Sequence, residues 1–343
     1  MRALEVLYVG AGGGTSRQRA EALRSLGHRV THVPTEPPRA LLDRVRARLG
    51  RPPDRHGLNA AVRAAIARGG LDLLWVDKGL TLLPETLADL ERVSPRTARV
   101  HYSPDDQMYP TNQSRYWLRG IPLYHLHVTT KTYNVPELRA LGAPDVLFVD
   151  NAYDPAMHRP LLLDPADAAR YAADVGFVGG YEGDRMDQML HLARNGVRVT
   201  VWGYAWERAR EGGHPNLVIR NTYLDDLEFT KCINATRINL GFLRKHNRDL
   251  QTTRSVEIPA CRAFMLAERT DEHLRLFREG AEAEFFADRD ELLRKCRHYL
   301  EHEEERQRIA EAGYRRCLDG GYSNQARLAA VLAHLEGTGR LSA

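Results

Sequence analysis

The feature that most constrains this chain is a rhythm of short apolar runs alternating with amphipathic helical stretches, and the rhythm runs twice. In the first half the runs are Glu5–Gly10, Arg29–Val33, Leu71–Asp77, Ala98–Tyr102, Leu123–Thr129 and Asp145–Val149. Between them, stretches such as Ser16–Leu26 and Leu58–Arg68 space their apolar residues three and four apart, the period of a helix with one buried face. Gly27 reads as the glycine that ends the first of these helices. Strand, helix, strand in repetition predicts a parallel sheet covered on both faces.

The rhythm breaks at residues 151–172, where Asp154-Pro155, Arg159-Pro160 and Asp164-Pro165 follow Asn151 with no period. It restarts with strands expected at Asp174–Val178, Val197–Gly203, Leu217–Arg220, Arg237–Phe242, Ala263–Ala267 and Glu284–Ala287. Helices are expected at Arg185–Asn195, Leu224–Ala235, Ser255–Cys261, Asp271–Phe277, through the charged stretch Asp290–Leu318, and at about Asn324–Leu335. A length of 343 residues also exceeds what one hydrophobic core supports. The expected division is an α/β, doubly wound Rossmann-like domain over 1–155, a linker over 156–172 and a second such domain over 173–320. A helix in 321–343 would pack back on the first domain. Ligands of open parallel sheets sit outside the carboxyl ends of the strands, so two such domains are expected to face an inter-domain cleft.

Composition removes several classes. At 43% hydrophobic and 27% charged the chain is globular in type, and no apolar run approaches the ~20 residues of a membrane span. The opening residues read as a strand rather than a leader, and nothing reads as a membrane anchor, so a cytoplasmic protein is expected. The net charge of +4 comes from arginines spread along the chain, which argues against a nucleic-acid stripe and for local anion sites. Cys232, Cys261, Cys296 and Cys317 stand singly, as buried thiols in a reducing compartment do. No histidine pattern suggests a metal, and none is expected.

Three clusters carry chemistry. Gly10-Ala11-Gly12-Gly13-Gly14-Thr15 lies between the first strand and first helix, where glycine admits a ligand to the backbone and the helix end favours an anion. A dinucleotide fingerprint would need glycine at Thr15 and an acidic residue after Val33, where Pro34 stands. A turn lining an acceptor or donor pocket, or a plain structural turn, remains. The second cluster, Val175 to Tyr181 with Gly179 and Gly180, leads to Arg185, whose guanidinium suits a pyrophosphate. The alternative is a surface arginine at a helix start. The third is Arg244, Lys245, His246 and Asn247, followed by Arg254 and Glu257: cations for a diphosphate and a carboxylate for two ribose hydroxyls. Against that stands the ordinary preference for a carboxylate in a first helical turn.

The stretch Arg254–Leu335, with Glu257-Ile-Pro-Ala-Cys261, Phe277-Arg-Glu-Gly280, Glu291-Leu-Leu293, Tyr299-Leu300 and Arg306-x-x-Ile-Ala310-x-x-Gly313, resembles the C-terminal domain of spore-maturation-type (CgeB-like) glycosyltransferases. Phe177-Val-Gly-Gly-Tyr181, Arg185, Trp202-Gly203, Ile238-Asn239-Leu240 and His101-Tyr-Ser-Pro-Asp-Asp106 extend the resemblance over most of the chain. It implies GT-B architecture and a nucleoside-diphosphate sugar donor, guessed to be of UDP or TDP type. The large retaining GT-B group, to which the family is related, carries an acidic residue and a glutamate at the spacing of Asp249 and Glu257. By that analogy Glu257 holds the ribose, Arg185 with Arg244 or Lys245 holds the phosphates, and Asp249 touches the sugar. The donor side would thus comprise Gly179, Gly180, Tyr181, Arg185, Gly203, Arg244, Lys245, Asn247, Asp249, Arg254 and Glu257. Where the family carries glycine after the cysteine this chain has Arg262.

In the first domain Asp105 and Asp106 follow a strand end. Either could take a proton from an acceptor hydroxyl, or serve an Asx turn after Pro104. Lys131, Lys78 and His101, with Gly12, Gly13 and Gly14, are further candidates for the acceptor side. The expected reaction moves a sugar to an acceptor hydroxyl with fixed cations stabilising the departing diphosphate, without metal or cofactor. A nucleotide-sugar epimerase and a non-catalytic nucleotide-sugar binder are the rivals. The sequence leaves the acceptor and the oligomeric state open.

Overall fold

Continuous apolar runs become strands buried on both faces, and the two sheets follow from them. The structure is a computed structural model describing residues 2–36, 40–209 and 213–341. Its strands are β1 (Glu5–Ala11), β2 (Arg29–Thr35), β3 (Leu73–Asp77), β4 (Ala98–Ser103), β5 (Leu126–Thr129) and β6 (Val146–Phe148), then β7 (Ala173–Val178), β8 (Val199–Trp202), β9 (Leu217–Ile219), β10 (Thr236–Gly241), β11 (Met265–Glu268) and β12 (Glu284–Phe286). Every residue of β3 and β4 is buried, as a central parallel strand requires. Each expected strand is present, shifted by no more than a few residues.

The chain divides into two units. Unit 1 comprises Met1–Asp150, Lys245–Asp249 and Asn324–Ala343; unit 2 comprises Asn151–Arg244 and Leu250–Ser323. Among the described residues each holds one six-stranded parallel sheet, ordered β2-β1-β3-β4-β5-β6 in unit 1 and β12-β11-β10-β7-β8-β9 in unit 2. In unit 1 the order reverses between β1 and β3, paired as Val6 with Leu73 and Val9 with Val76. In unit 2 it reverses between β10 and β7, paired as Ile238 with Val175. The crevices beyond the carboxyl ends of these strand pairs are where such sheets bind ligands.

Helices flank both sheets. In unit 1 the helix Gly14–Ser25 packs against the C-terminal helix Asn324–Gly337, whose Leu328, Val331, Leu332 and Leu335 share one core with Leu4, Val6, Leu23 and Trp75. In unit 2 the helices Gly183–Arg194 and Arg289–Glu301 bury Met186, Met189, Leu292 and Cys296 against Val199, Val201 and Leu240.

The sequence reading differs from the structure in two places. Residues 156–172 hold a helix, Pro165–Tyr171, capped by the Asp164 side chain, which accepts from the Asp167 amide at 2.8 Å. The proline taken there as a breaker occupies the first helical turn, where its missing N–H costs nothing. The stretch Asp290–Leu318 is two helices, Arg289–Glu301 and Glu303–Asp319, meeting at His302. The helices Leu41–Arg48, Pro84–Val93, Arg115–Gly120 and Asn134–Ala140 stand between strands as the alternation requires, but only Ser16–Leu26 and Leu58–Arg68 are bounded from the sequence of this half.

Candidate functional site

In unit 2 the polypeptide leaves β7 into Gly179 and Gly180 and leaves β10 into Phe242, Leu243 and Arg244, the two sides of the switch point. The glycines here answer to close packing. A Cβ on Gly179 would stand 2.5 Å from the Phe177 ring, and one on Gly180 would stand 2.9 Å from the Tyr204 ring. Gly203, at φ 143°, is stricter still: its Cβ would stand 1.9 Å from the Gly179 carbonyl oxygen. That oxygen accepts from Trp206 Nε1 at 2.9 Å, and the Tyr181 amide donates to the Tyr204 carbonyl at 3.1 Å. The turn after β7 is therefore held rigid by β8 and the segment following it. Arg185 enters the next helix largely buried. Its Nη1 donates to the Gly180 carbonyl at 2.9 Å, and its Nη2 stands 3.4 Å from Glu182. Arg185 is thus packed beneath the glycine turn rather than standing as a surface charge. Tyr204, which the sequence did not single out, presents an exposed ring beside Gly180.

Glu257 sits in the helix Arg254–Ala260 with only 1% of its surface exposed. Arg254 Nη1 donates to one carboxylate oxygen, and His158 Nε2 lies 3.7 Å from the other. Burial pushes this carboxyl up, but Arg254 and His158 outweigh it and hold it below the usual carboxylate range. Burial lowers the His158 pKa, against the opposing pull of the Glu257 charge. Arg254 lies over the Phe229 ring at 3.9 Å and roofs the carboxylate. Arg244 is exposed. Two cavities of about 220 and 410 Å³ open at the amino ends of this sheet, around Arg237, away from the glycine turn.

Unit 1 receives Lys245–Asp249 and stitches it to the carboxyl ends of β4 and β5. Arg248, at φ 46°, donates from Nε and Nη2 to the two oxygens of Asp106 at 2.6 and 2.7 Å, and from Nη1 and Nη2 to Glu137 at 2.9 and 3.0 Å. Its guanidinium also covers the Tyr133 ring at 4.2 Å. The Asn247 side chain accepts from the Asp106 amide at 3.0 Å and donates to Asp249 at 2.7 Å, and Lys131 Nζ pairs with Asp249. Lys245 is exposed, whereas Asn247, Asp249 and Lys131 are buried in this network. Asp106, 2% exposed, accepts further from Asn134 Nδ2 at 3.0 Å and the Met108 amide at 2.9 Å. Burial opposes its ionisation, but the bonds from Arg248 and Asn134 prevail and hold its carboxyl below the usual range. A carboxylate so engaged is an anchor.

The other unit 1 candidates divide between loop ends and core. Asp105 pairs with Lys78, which is at φ 63° just beyond β3, and both are partly exposed. Gly12, Gly13 and Gly14 line an open turn beyond β1: Cβ atoms at Gly13 and Gly14 would meet nothing within 4 Å. His101 lies inside β4 at 1% exposure, its Nε2 against the Lys78 carbonyl at 3.1 Å and its ring among Trp117, Tyr124 and His127. Burial drives its pKa well down, and it belongs to the core. Beneath the glycine turn, Asp77 accepts from Tyr8 Oη at 2.7 Å and Arg19 Nε at 2.8 Å, a buried group without any sequence signal. The four cysteines are buried and burial raises their pKa values, Cys232 to about 12. Among the described residues no group of His, Cys, Asp or Glu could hold a metal ion, and no helix is long and apolar enough to cross a membrane.

Residues 185–333 match the model of a family described as glycosyl transferase-like. Comparison with curated proteins by sequence returns no relative. An α-glucosyltransferase in complex with UDP and a 13-mer DNA matches at TM-score 0.69 and 12% identity, over 98% of this chain and 100% of its own. Sucrose-phosphate synthase from Thermosynechococcus elongatus matches at TM-score 0.67 and 12% identity, over 97% and 100%. HepE from Anabaena, in complex with UDP, matches at TM-score 0.60 and 14% identity, over 97% and 100%. Identities this low speak for fold, and the fold is GT-B: two doubly wound, Rossmann-like units. The stretch that matches the glycosyl transferase-like model begins in unit 2 and runs into the C-terminal helix.

Proposed function

We propose that this chain is a glycosyltransferase of the spore-maturation (CgeB-like) type, moving a hexosyl group from a nucleoside-diphosphate sugar to an acceptor hydroxyl or similar nucleophile. The observation that carries this is the family match over residues 185–333, which contains Arg185, Arg244, Arg254 and Glu257 and overlies one side of the unit 2 switch point. On this reading the diphosphate lies over the rigid Gly179–Gly180 turn and draws on Arg244. The exposed face of Tyr204 takes the nucleobase by stacking. A carboxylate has about four lone-pair positions, so Glu257 keeps acceptor capacity for ribose hydroxyls once Arg254 swings off it. UDP in the Anabaena and α-glucosyltransferase structures favours uridine as the base.

Chemistry would follow from charge. Negative charge grows on the leaving diphosphate as the glycosidic bond breaks, and fixed cations aimed at it lower the barrier without a metal. The donor is a substrate, and no resident cofactor is called for. Within unit 1 the proposed base is Asp105, which pairs with Lys78, because Asp106 is engaged by Arg248.

A thermal-shift panel of UDP, TDP, GDP, ADP and NAD tests this reading. Saturation near a hundred times Kd adds about 2.7 kcal/mol to the stability of the binding state, a readily visible shift. The expected result is a shift with UDP that Glu257→Gln and Arg244→Ala abolish, each against its own unliganded melting point. A shift with NAD alone, or with no nucleoside diphosphate, would falsify the proposal. Conversion of a UDP-sugar into an isomer without acceptor would replace the transferase by an epimerase.

A further inference from the structure

We propose that the helix Leu41–Arg48 of unit 1 is an interfacial helix that docks on an anionic lipid surface. Its apolar residues face outward: Leu41, Leu42, Val45 and, just beyond its end, Leu49 are 77, 57, 44 and 65% exposed. Helical rotation of about 100° per residue gathers these four within an arc of about 100°. The opposite arc faces the protein. There Asp43 is buried and accepts from Arg55 Nη2 at 3.0 Å, Ala47 is half-buried, and the Gly50 carbonyl accepts from the Arg115 amide at 2.7 Å. The helix is therefore anchored by its polar side and leaves its apolar side outside, the inverse of a core-facing helix.

Charge identifies the occupant. Arg46 borders the apolar arc on one edge, Arg48 and Arg44 border the other, and all three are exposed. Among the described residues none of the three meets a carboxylate in an ion pair. The only acidic residue of this helix, Asp43, is already neutralised by Arg55. A protein partner matched to four aliphatic side chains alone would leave three unpaired cations at its rim. A lipid surface bearing phosphate groups takes both: leucines enter the headgroup boundary and arginines reach the phosphates beside it. The inference concerns attachment and stands apart from the donor chemistry proposed above, so the test omits nucleotide.

The full chain would be sedimented with vesicles of phosphatidylcholine alone and of phosphatidylcholine mixed with phosphatidylglycerol. Binding is expected to the anionic vesicles only, and to weaken as salt is raised. Arg44→Gln/Arg46→Gln/Arg48→Gln should lower the partition coefficient roughly a hundredfold, at about 1 kcal/mol per cation near the surface. Leu41→Ser/Leu42→Ser should lower it by about tenfold or more. These side chains lie in solvent, so both variants should melt as the parent does, which separates lost docking from lost folding. The proposal is overturned if the parent ignores anionic vesicles, or if both variants bind them as the parent does. It is also overturned if the chain self-associates without vesicles and Leu41→Ser/Leu42→Ser dissolves that association, for then a second copy is the occupant.

Discussion

At the scale of single residues, Arg248 has the largest local consequence. Two carboxylates far away in sequence, Asp106 and Glu137, depend on this one guanidinium. Replacing it by alanine leaves the Asp106 carboxylate buried with only Asn134 and backbone donors. Losing one partner of a fully buried pair costs about 3–5 kcal/mol; because Arg248 is itself partly exposed, about 1–3 kcal/mol is the expected loss. Urea unfolding of Arg248→Ala against the parent measures it, and an unchanged midpoint would refute the anchoring role. Sequence reasoning chose the neighbours of this residue and passed over it. Asp106, Asn247 and Asp249 stood in motif-like positions, whereas the signal of Arg248 exists only once Lys245–Asp249 is folded into unit 1. His101 failed in the opposite direction: it lies inside β4, which is buried on both faces, so its ring packs in the core rather than reaching the loop that holds Asp105.

At the scale of elements, β11, β12 and the helix Arg289–Glu301 are tied by charge as well as by apolar packing. Arg269 meets Glu291 through Nη1 and Nη2 at 2.9 and 2.7 Å and meets Glu279 through Nε at 3.0 Å, while Lys295 reaches Glu279 at 2.8 Å. Hydrogen bonds from Arg269, against the pull of burial, lower the Glu291 pKa to about 2. A depressed carboxylate pKa stabilises the fold above the unfolded value near 4.5, and the gain disappears as pH falls toward about 2. Discounted for the partial exposure of both partners, the difference is worth about 1–2 kcal/mol. Glu291→Gln should therefore be less stable than the parent at pH 7, and the two should converge near pH 2. Parallel stability curves with no convergence would contradict the assignment. The strands were readable because burial on both faces writes a continuous apolar run. Short helices were not. Leu41–Arg48 turns its leucines outward and Arg115–Gly120 is under two turns long, so neither shows the period of a core-facing helix.

At the scale of the whole molecule, unit 1 is assembled from three separate stretches of chain. The C-terminal helix supplies Leu328, Val331, Leu332 and Leu335 to its core, and burying four such side chains contributes about 6–10 kcal/mol, on the order of a whole domain's stability. A chain ending at Ser323 should lose amide-exchange protection throughout β1 to β6 while β7 to β12 keep theirs. Retained protection in β1 would show that the helix is dispensable. The twofold rhythm made two sheets legible from sequence; the return of Lys245–Asp249 to unit 1 was not, because its cause is a set of polar side chains without a period.

That three-stretch construction bears on how the protein is made. Polypeptide leaves the ribosome from its amino end, so β1 to β6 emerge before the residues that close their core. Unit 1 must wait, its apolar face on Leu4, Val6 and Leu23 uncovered, until all of unit 2 has been synthesised and Asn324–Gly337 follows. The part begun first is completed last. A nascent chain stalled anywhere in unit 2 therefore exposes an uncovered apolar face that proteases and chaperones can reach.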